Sequence, residues 1–365
     1  MLIDLLIIEE LLASELLWQQ SPESLRREAM AMVSAVAQDF ATISNVQGAV
    51  LLSHASSKST TLSQLLPPNI SKWVTDRNAA EWLQEPDLPR DSIRRLLIVA
   101  PEFDGILVNR LSAAENGPLR HAERLNLPAP VAAVFADKYA TADWLEHHGL
   151  PTPRTWLVTE EDCRRLTPPR NKATQRQVSQ GVLKPRFGAG CDQVQLIQEL
   201  PSLGYLTSSP ADADWVLQER IPGRACSISL IGQGHQNPAL ILPPGRQQIT
   251  VDTSGGLHYR GGRIPCHREL AAVVETVAEQ FRDALGPFRG WLGLDVVVNF
   301  TPSRPPQATI IEVNPRLCTS YIGYRQLTTD NLTRRMLFPT APQQPIHWHS
   351  EFVGFTTHLI GSSDE

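Results

Sequence analysis

Two strand-like segments toward the C-terminal end of the chain each carry an acidic residue inside an apolar run. Residues 293–299 read Gly-Leu-Asp-Val-Val-Val-Asn, and residues 310–316 read Ile-Ile-Glu-Val-Asn-Pro-Arg. Runs of β-branched residues are typical of central strands, which are covered on both faces. Asp295 and Glu312 are therefore predicted to be buried acids, and a buried carboxylate is costly unless it is paired or binds a metal.

The spacing of the polar residues indicates what such acids would do. Glu312 and Asn314 are two residues apart, so they face the same side of a strand, and a neighbouring strand would bring Asp295 beside them. Two carboxylates and an amide oxygen form an all-oxygen set that suits Mg²⁺. Arg316 could then clamp a phosphoryl group from the end of the strand. The alternative is a buried salt bridge between Glu312 and Arg316.

A second segment combines a lysine with a glycine-containing turn. The strand Val182–Pro185 carries Lys184 and runs directly into Arg-Phe-Gly-Ala-Gly, residues 186–190. Glycines let backbone N–H groups approach an anion, and lysine adds a compact positive charge for phosphate. It is not a P-loop, because G-x-x-x-x-G-K-[ST] is absent. An ordinary hairpin with a surface lysine is the alternative.

A third segment, Gln-Glu-Arg-Ile-Pro-Gly at residues 218–223, lies at a predicted strand end. Such a hinge can offer backbone groups to the edge of an adenine and the side chain of Ile221 to its face. Taken alone, it is better explained as a plain hairpin corner.

The order of elements predicts an α/β organisation. Strands alternate with helices over residues 1–125, which indicates a small open α/β layer whose ligands bind at the carboxyl ends of the strands. A helix is predicted over residues 131–148. The rest is rich in strands, with one amphipathic helix over residues 267–285.

Charge and composition exclude several functions. The 365 residues have a formal net charge of -5, which argues against broad binding to nucleic acid or an anionic membrane. The five cysteines are scattered, as reduced thiols are, and no secretory signal or membrane span is recognised. We expect a cytoplasmic protein.

Taken in order, these segments resemble the ATP-grasp family. The match begins at Ala-Asp-Lys, residues 136–138, includes the three segments above, and ends at Glu-Val-Asn-Pro-Arg, residues 312–316. The resemblance implies an α/β fold of the α+β ATP-grasp type, in which a small open pre-ATP-grasp layer precedes two α+β subdomains that grip ATP. The implied division is 1–125 for the N-terminal domain, 126–225 for the lysine and phosphate-loop subdomain, 226–345 for the metal-binding subdomain and 346–365 for a C-terminal tail.

The same resemblance implies roles for individual residues. Lys138 and Lys184 would contact ATP phosphates, and Mg²⁺ would be held by Asp295, Glu312 and Asn314. Arg316 and Lys184 would neutralise the transferring phosphoryl group. The remaining nucleotide-binding residues would be Arg186, Gly188 and Gly190 in the phosphate loop, and Gln218, Glu219, Arg220 and Ile221 in the adenine hinge.

One position departs from the family pattern. Many members carry an acid shortly after the hinge glycine that binds the ribose hydroxyls. Here Arg224, Ala225 and Cys226 occupy that stretch, so the ribose contact must come from elsewhere.

A narrower resemblance points to the subgroup that contains tyramine–L-glutamate ligase of methanofuran-type cofactor synthesis. It rests on residues 100–107, residues 259–262 and residues 314–323. It implies an ADP-forming C–N ligase that phosphorylates a carboxylate and lets an amine attack the acyl phosphate, with small-molecule substrates. Another amino-acid or peptide ligase, an ATP-grasp phosphotransferase and a non-catalytic nucleotide-binding regulator remain alternatives, and a homodimer is possible.

Three further residues are weaker candidates. Arg263 could hold the acceptor carboxylate or the tetrahedral intermediate, or could be a solvated arginine. Glu102 and Tyr321 could face the amine, because a cation favours an acid and an aromatic ring. Tyr321 is more simply explained as core packing.

Overall fold

The computed structural model describes residues 2–86, 92–160, 180–188, 193–197, 213–301, 304–339, 344–349 and 351–356. Within these ranges the chain forms three β-sheets with helices packed against them. The predicted division at residues 125, 225 and 345 stays a proposal.

The first sheet is parallel and has the order β3-β2-β1-β4-β5. Its strands are β1 Leu5–Glu9, β2 Gly48–Ser53, β3 Ile70–Thr75, β4 Arg95–Val99 and β5 Glu123–Arg124. Its helices are α1 Glu10–Ala13, α2 Glu15–Gln20, α3 Glu23–Ala41, α4 His54–Ser57, α5 Thr60–Leu65, α6 Ala79–Leu83 and α7 Ile106–Asn116. The predicted open α/β layer is thus present.

Helices cover both faces of this sheet. Successive side chains of β1 point to opposite faces and all are buried, so both faces must be covered. Leu5 and Ile7 pack in one cluster with the apolar stripe of α3, whereas Leu6 and Ile8 pack in the other with α7. Strand β3 was not predicted, because it is a half-exposed edge strand with a weak apolar pattern.

The helix predicted over residues 131–148 is two helices. Helix α8 is Ala129–Ala136, helix α9 is Lys138–His147, and Asp137 between them has an extended backbone. Its side chain accepts hydrogen bonds from the N–H groups of Tyr139 and Ala140, so it caps the start of α9. The break places Lys138 at the first position of the second helix.

The second sheet has four strands in the order β6-β9-β7-β8 and is antiparallel. The strands are β6 Thr155–Val158, β7 Gly181–Pro185, β8 Gln195–Ile197 and β9 Trp215–Glu219. The helix start and loop predicted over residues 160–181 lie mostly outside the described residues.

The third sheet is antiparallel in the order β15-β14-β10-β12-β13-β16, with β11 paired to β10. Its strands are β10 Arg224–Gln233, β11 Leu240–Ile241, β12 Gly245–Val251, β13 Leu257–Ile264, β14 Arg289–Asn299, β15 Gln307–Asn314 and β16 Val353–Phe355. Helix α10, Arg268–Leu285, covers one face with its apolar stripe. Helices α11 Ser320–Leu327 and α12 Leu332–Leu337 follow β15.

Strand β13 was not predicted, because its two glycines resemble a loop. They are needed for close approach to β16: a Cβ on Gly261, whose φ is +103°, would lie 2.1 Å from the carbonyl oxygen of Phe355. The predicted C-terminal tail thus contributes the strand β16 to the third sheet.

Candidate active site

The two acids of the apolar strands lie opposite each other in the third sheet. Asp295 on β14 pairs in register with Glu312 on β15, and Gly293 pairs with Asn314. Cross-strand partners share a face, so Asp295, Glu312 and Asn314 lie together on the face opposite α10. The predicted juxtaposition is therefore present.

A β-bulge produces this arrangement. Val296 pairs with Ile310 and Asp295 with Glu312, so Ile311 is an extra residue in β15. Without it, regular pairing would set Glu312 opposite Leu294, which belongs to the core on the α10 side of the sheet. The extra residue turns Glu312 toward Asp295.

The proximity of the two carboxylates changes the acidity of Asp295. Burial raises its pKa, the charge of Glu312 raises it further, and the resulting value is about 6. Two amides offset part of this rise in the pKa of Asp295, because Gln247 Nε2 and Asn314 Nδ2 donate to its carboxylate at 2.7 and 3.1 Å. Gln247, on β12, was not predicted.

Both predicted lysines converge on Glu312. Lys138 Nζ, from the first position of α9, lies 3.5 Å from Glu312 Oε1, and Lys184 Nζ, from β7, lies 3.6 Å from Oε2. Both lysines are buried. Burial raises the pKa of Glu312, but the two lysine charges outweigh it, and the net shift is downward. The site thus joins residues of two sheets and of helix α9.

The donor set fits a magnesium ion. Like charges opposite each other in a sheet repel, and a divalent cation between Asp295 and Glu312 would remove that repulsion. Asn314 could add its amide oxygen. In the described part of the chain, no group of three His, Cys, Asp or Glu side chains is placed to hold a metal, so a bound ion would need the amide and oxygens from a ligand.

Arg316 pairs with the N-terminal layer rather than with Glu312. Its Nε donates to Glu102 Oε1 at 2.8 Å, and its Nη1 donates to the carbonyl of Leu317 at 3.2 Å. The predicted alternative of a Glu312–Arg316 salt bridge is not formed. Glu102 follows β4 at the carboxyl end of the parallel sheet, where ligand-binding loops were expected.

The segment after Lys184 is anchored at its first residue. Arg186 donates through Nε and Nη2 to Asp137 Oδ2 at 3.0 and 2.7 Å, and Lys138 Nζ donates to the carbonyl of Gly188 at 2.7 Å. Arg186 and Gly188 therefore lie beside Lys138. Gly190 lies outside the described residues.

The predicted adenine hinge lies at the end of β9. Gln218 is buried and donates to Thr155 Oγ1 at 3.1 Å. The backbone N–H groups of Glu219 and Arg220 donate to the carbonyls of Arg154 and Gln180 at 2.8 and 2.9 Å, so they hold the hinge in place. Ile221 is half-buried just beyond them.

Arg263 requires a correction. It is exposed on β13, pairs across the strands with Arg246, and lies 3.7 Å over the ring of Phe352. Its neighbour Gly262 pairs with Gln247, which faces Asp295. Because neighbouring residues of a strand point to opposite faces, Arg263 points away from the metal-site face, and the alternative of a solvated arginine fits.

Tyr321 is fully buried in α11, and its hydroxyl donates to Asp39 Oδ2 at 2.5 Å. This contact joins the third-sheet region to helix α3, as core packing would. Tyr259 was not predicted as a site residue, yet it pairs with Ile249 on the face that carries Asp295. Pairing shifts between Gln247 and Ile249, so β13 contains an extra residue there, and regular alternation from Gly262 would have placed Tyr259 on the opposite face.

The fold and the site together define a nucleotide-dependent enzyme, and comparison with known proteins gives its family. The family model described as ATP-grasp domain matches residues 135–320, just over half of the chain. The chain belongs to the ATP-grasp family, as its motifs predicted. It is an ATP-dependent C–N ligase that uses ATP and Mg²⁺.

A curated relative supports the narrower resemblance. The chain is 24% identical over 269 residues to tyramine–L-glutamate ligase of Methanocaldococcus jannaschii. The alignment covers 74% of this chain and 70% of the relative.

Two solved structures show the same fold. An ATP-grasp superfamily protein from Archaeoglobus fulgidus aligns over 98% of this chain and 99% of its own, with 18% identity and a TM-score of 0.63. The second is the biotin carboxylase domain of Hydrogenobacter thermophilus 2-oxoglutarate carboxylase in complex with MgADP. It aligns over 97% of this chain and 73% of its own, with 10% identity and a TM-score of 0.61.

Within the described part of the chain, every helix is too short or too polar to span a bilayer.

Proposed function

We propose that this protein joins glutamate to a tyramine-like amine through an acyl-phosphate intermediate. The observation that carries the proposal is the convergence of Lys138 and Lys184 on Glu312, directly beside Asp295. This arrangement places two cations and a magnesium-type donor set at one point, as phosphoryl transfer requires. The name of the curated relative supports the choice of substrates.

The chemistry follows from the poor reactivity of a carboxylate toward amines. A carboxylate oxygen of glutamate attacks the γ-phosphorus of ATP, the bond to ADP breaks, and an acyl phosphate forms. The neutral amine nitrogen then attacks the carbonyl carbon, phosphate leaves, and the nitrogen loses a proton. No side chain of the protein becomes covalently bound in these steps.

The residues of the site would serve these steps by charge and position. Lys138 and Lys184 would neutralise the phosphates, and Arg316 would hold the phosphoryl group or the acyl phosphate. Asp295, Glu312 and Asn314 would hold Mg²⁺, which supplies positive charge to the phosphates when bound. Gly188 and the hinge residues 218–221 would border the nucleotide.

The test is ADP release from ATP, Mg²⁺ and glutamate with and without tyramine, followed by mass spectrometry of the products. We expect a new amide mass only in the complete mixture. ADP without an amide would contradict the tyramine assignment and direct the search to other amines. A stable phosphorylated product would indicate a phosphotransferase, and no ADP under any pairing would indicate a regulator.

The proposed homodimer is separate from this chemistry. Sedimentation velocity of the purified chain would show a single species of twice the 40.4 kDa chain mass if it forms.

A further inference from the structure

A polar corner lies beside the candidate active site, where β4, helix α3 and the segment after β15 meet. We define it by Glu28, Glu102 and Arg316. Glu102 is only 4% exposed, and its Oε1 accepts from Arg316 Nε at 2.8 Å. Glu28, half-buried on α3, interacts electrostatically with the same arginine. Two acids therefore interact with the same cation, Glu102 through a hydrogen bond and Glu28 electrostatically.

One oxygen of this corner lacks a donor. The Oε2 atom of Glu102 is buried and accepts no hydrogen bond from any described residue. Burying a carboxylate oxygen without a donor is costly, and buried polar atoms are nearly always paired in folded proteins. Within the described residues, Glu102 Oε2 is thus an acceptor without a donor, which a bound donor would satisfy.

The charge of the corner indicates which kind of donor fits. Burial raises the pKa of Glu28, and only the charge of Arg316 opposes that rise. Because Arg316 already donates to Glu102, a second cation would stabilise both carboxylates. An ammonium group supplies a positive charge and three N–H donors. A carboxylate or phosphoryl group bound at Glu28 and Glu102, rather than at Arg316, would meet two acids.

The corner is continuous with the metal-type donor set. Arg316 follows Asn314 by two residues on the same chain segment. Tyr259, on the sheet face that carries Asp295, interacts electrostatically with both Asp295 and Glu28. A ligand held by Glu28 and Glu102 would therefore lie next to the proposed site of acyl-phosphate formation, with an aromatic ring beside it.

We propose that Glu102 and Glu28 bind the ammonium group of the acceptor amine before it reacts. The inference rests on the proposed function, because it identifies the amine subsite of that ligase. It assigns Glu102 a second contact besides Arg316, and it makes the substrate a primary amine that arrives as a cation.

The experiment is calorimetric titration of tyramine into the full chain. It compares wild-type protein with Glu102→Gln and Glu28→Gln, and it uses 4-ethylphenol as a probe of similar shape without the ammonium group. Glu23→Gln is the matched control, because Glu23 lies on the same helix and is exposed. Circular dichroism checks that each variant is folded.

We expect the Kd for tyramine to rise at least about tenfold in Glu102→Gln and in Glu28→Gln, since each loses a charged hydrogen-bond acceptor. Glu23→Gln should bind tyramine like the wild type, and the Kd for 4-ethylphenol should be equal in all four proteins. Unchanged tyramine binding, equal losses for both probes, or no tyramine binding by the wild type would each overturn the inference. Variants that bind glutamate more weakly but tyramine as the wild type does would also overturn it, because Glu102 would then act only through Arg316.

These outcomes are distinguishable from failure of the proposed function. Tyramine binding that depends on Glu102, without any amide product, would contradict the ligase assignment and retain the subsite. Amide formation by both variants with an unchanged KM for tyramine would retain the ligase and overturn the subsite.

Discussion

Glu312 is the residue on which the charges of the site depend. It meets Lys138 and Lys184 on one side and Asp295 on the other. Its carboxylate therefore stabilises two buried cations while it repels one neighbouring acid. Removing the charge of Glu312 and removing that of Asp295 should have opposite effects on stability.

We expect Glu312→Gln to lower the free energy of unfolding by about 2–4 kcal/mol, because it removes the carboxylate that both buried lysines contact. Asp295→Asn should instead raise it by about 1 kcal/mol, because it removes like-charge repulsion. Urea unfolding in EDTA measures both.

Each variant should also lose ligase turnover by about a hundredfold or more, whereas Glu279→Gln, at an exposed carboxylate on α10, should not. Changes of the same sign in the free energy of unfolding of Glu312→Gln and Asp295→Asn would contradict these opposite effects.

A second residue-scale effect concerns Glu9 at the end of β1. It is 3% exposed and caps α1 through the N–H of Leu12 at 2.9 Å. Burial, opposed by that hydrogen bond and reinforced by Glu10, raises its pKa to about 8. The folded protein thus holds a proton that the unfolded chain has already released above about pH 5.

Because the pKa is raised in the folded state, wild-type stability should fall as the pH rises from about 5 to 8, by up to about 1.4 kcal/mol per pH unit. Glu9→Gln keeps an oxygen for the cap and removes the ionisation. Its Tm should match the wild type near pH 4.5 and exceed it increasingly up to pH 8. Parallel Tm curves across this range would mean that Glu9 does not titrate as described.

At the scale of elements, the break between α8 and α9 organises the phosphate side of the site. Asp137 uses Oδ1 to cap α9 and Oδ2 to bind Arg186. It therefore fixes both Lys138 and the beginning of the segment that follows Lys184. A continuous helix, as predicted from the sequence, would leave Arg186 without this contact.

Asp137→Ala should lower the free energy of unfolding by about 2 kcal/mol, since it removes a helix cap and a partly buried ion pair. Asp137→Asn can keep the cap and loses mainly the ion pair, so about half of that loss is expected. Both should raise the KM for ATP. Equal destabilisation by the two variants would show that the cap contributes little.

At the scale of the whole molecule, several polar contacts tie the N-terminal layer to the third-sheet region, and those of Glu102 and Asp39 are among them. Glu102 binds Arg316 near the candidate site. Farther away, Asp39 of α3 accepts from Tyr321 and from Arg325 Nε, each at 2.5 Å. Burial raises the pKa of Asp39, and both hydrogen bonds oppose that rise.

Tyr321→Phe should lower the free energy of unfolding by about 1–2 kcal/mol, because the buried carboxylate loses one of its donors. Thermal unfolding measures this loss, and Tyr324→Phe, which removes a hydrogen bond to a carbonyl of Pro243, gives a comparison within the same helix. A raised KM for the amine without any loss of Tm would instead place Tyr321 in the amine site.

Much of the local structure and chemistry could be predicted from the sequence, because it depends on residues that are neighbours along the chain. The sequence predicted strands alternating with helices over residues 1–125 and apolar strands at β14 and β15, and the acids inside the last two strands indicated a metal-type site. The order of motifs identified the ATP-grasp family. Strand β13 and the helix break at Asp137 were missed, because glycines and a single cap residue are ambiguous without their partners.

What only the tertiary structure decided was which side chains meet. Regular alternation predicts that Glu312 and Asn314 share a face, but the extra residue Ile311 decides that this face is the one with Asp295. Likewise, strand pairing turns Arg263 away from the site, and packing of distant segments brings Glu102 to Arg316. The physical reason is that register and contacts between distant segments depend on pairing energies of the whole sheet, whereas residue type and spacing determine only which faces are apolar or charged.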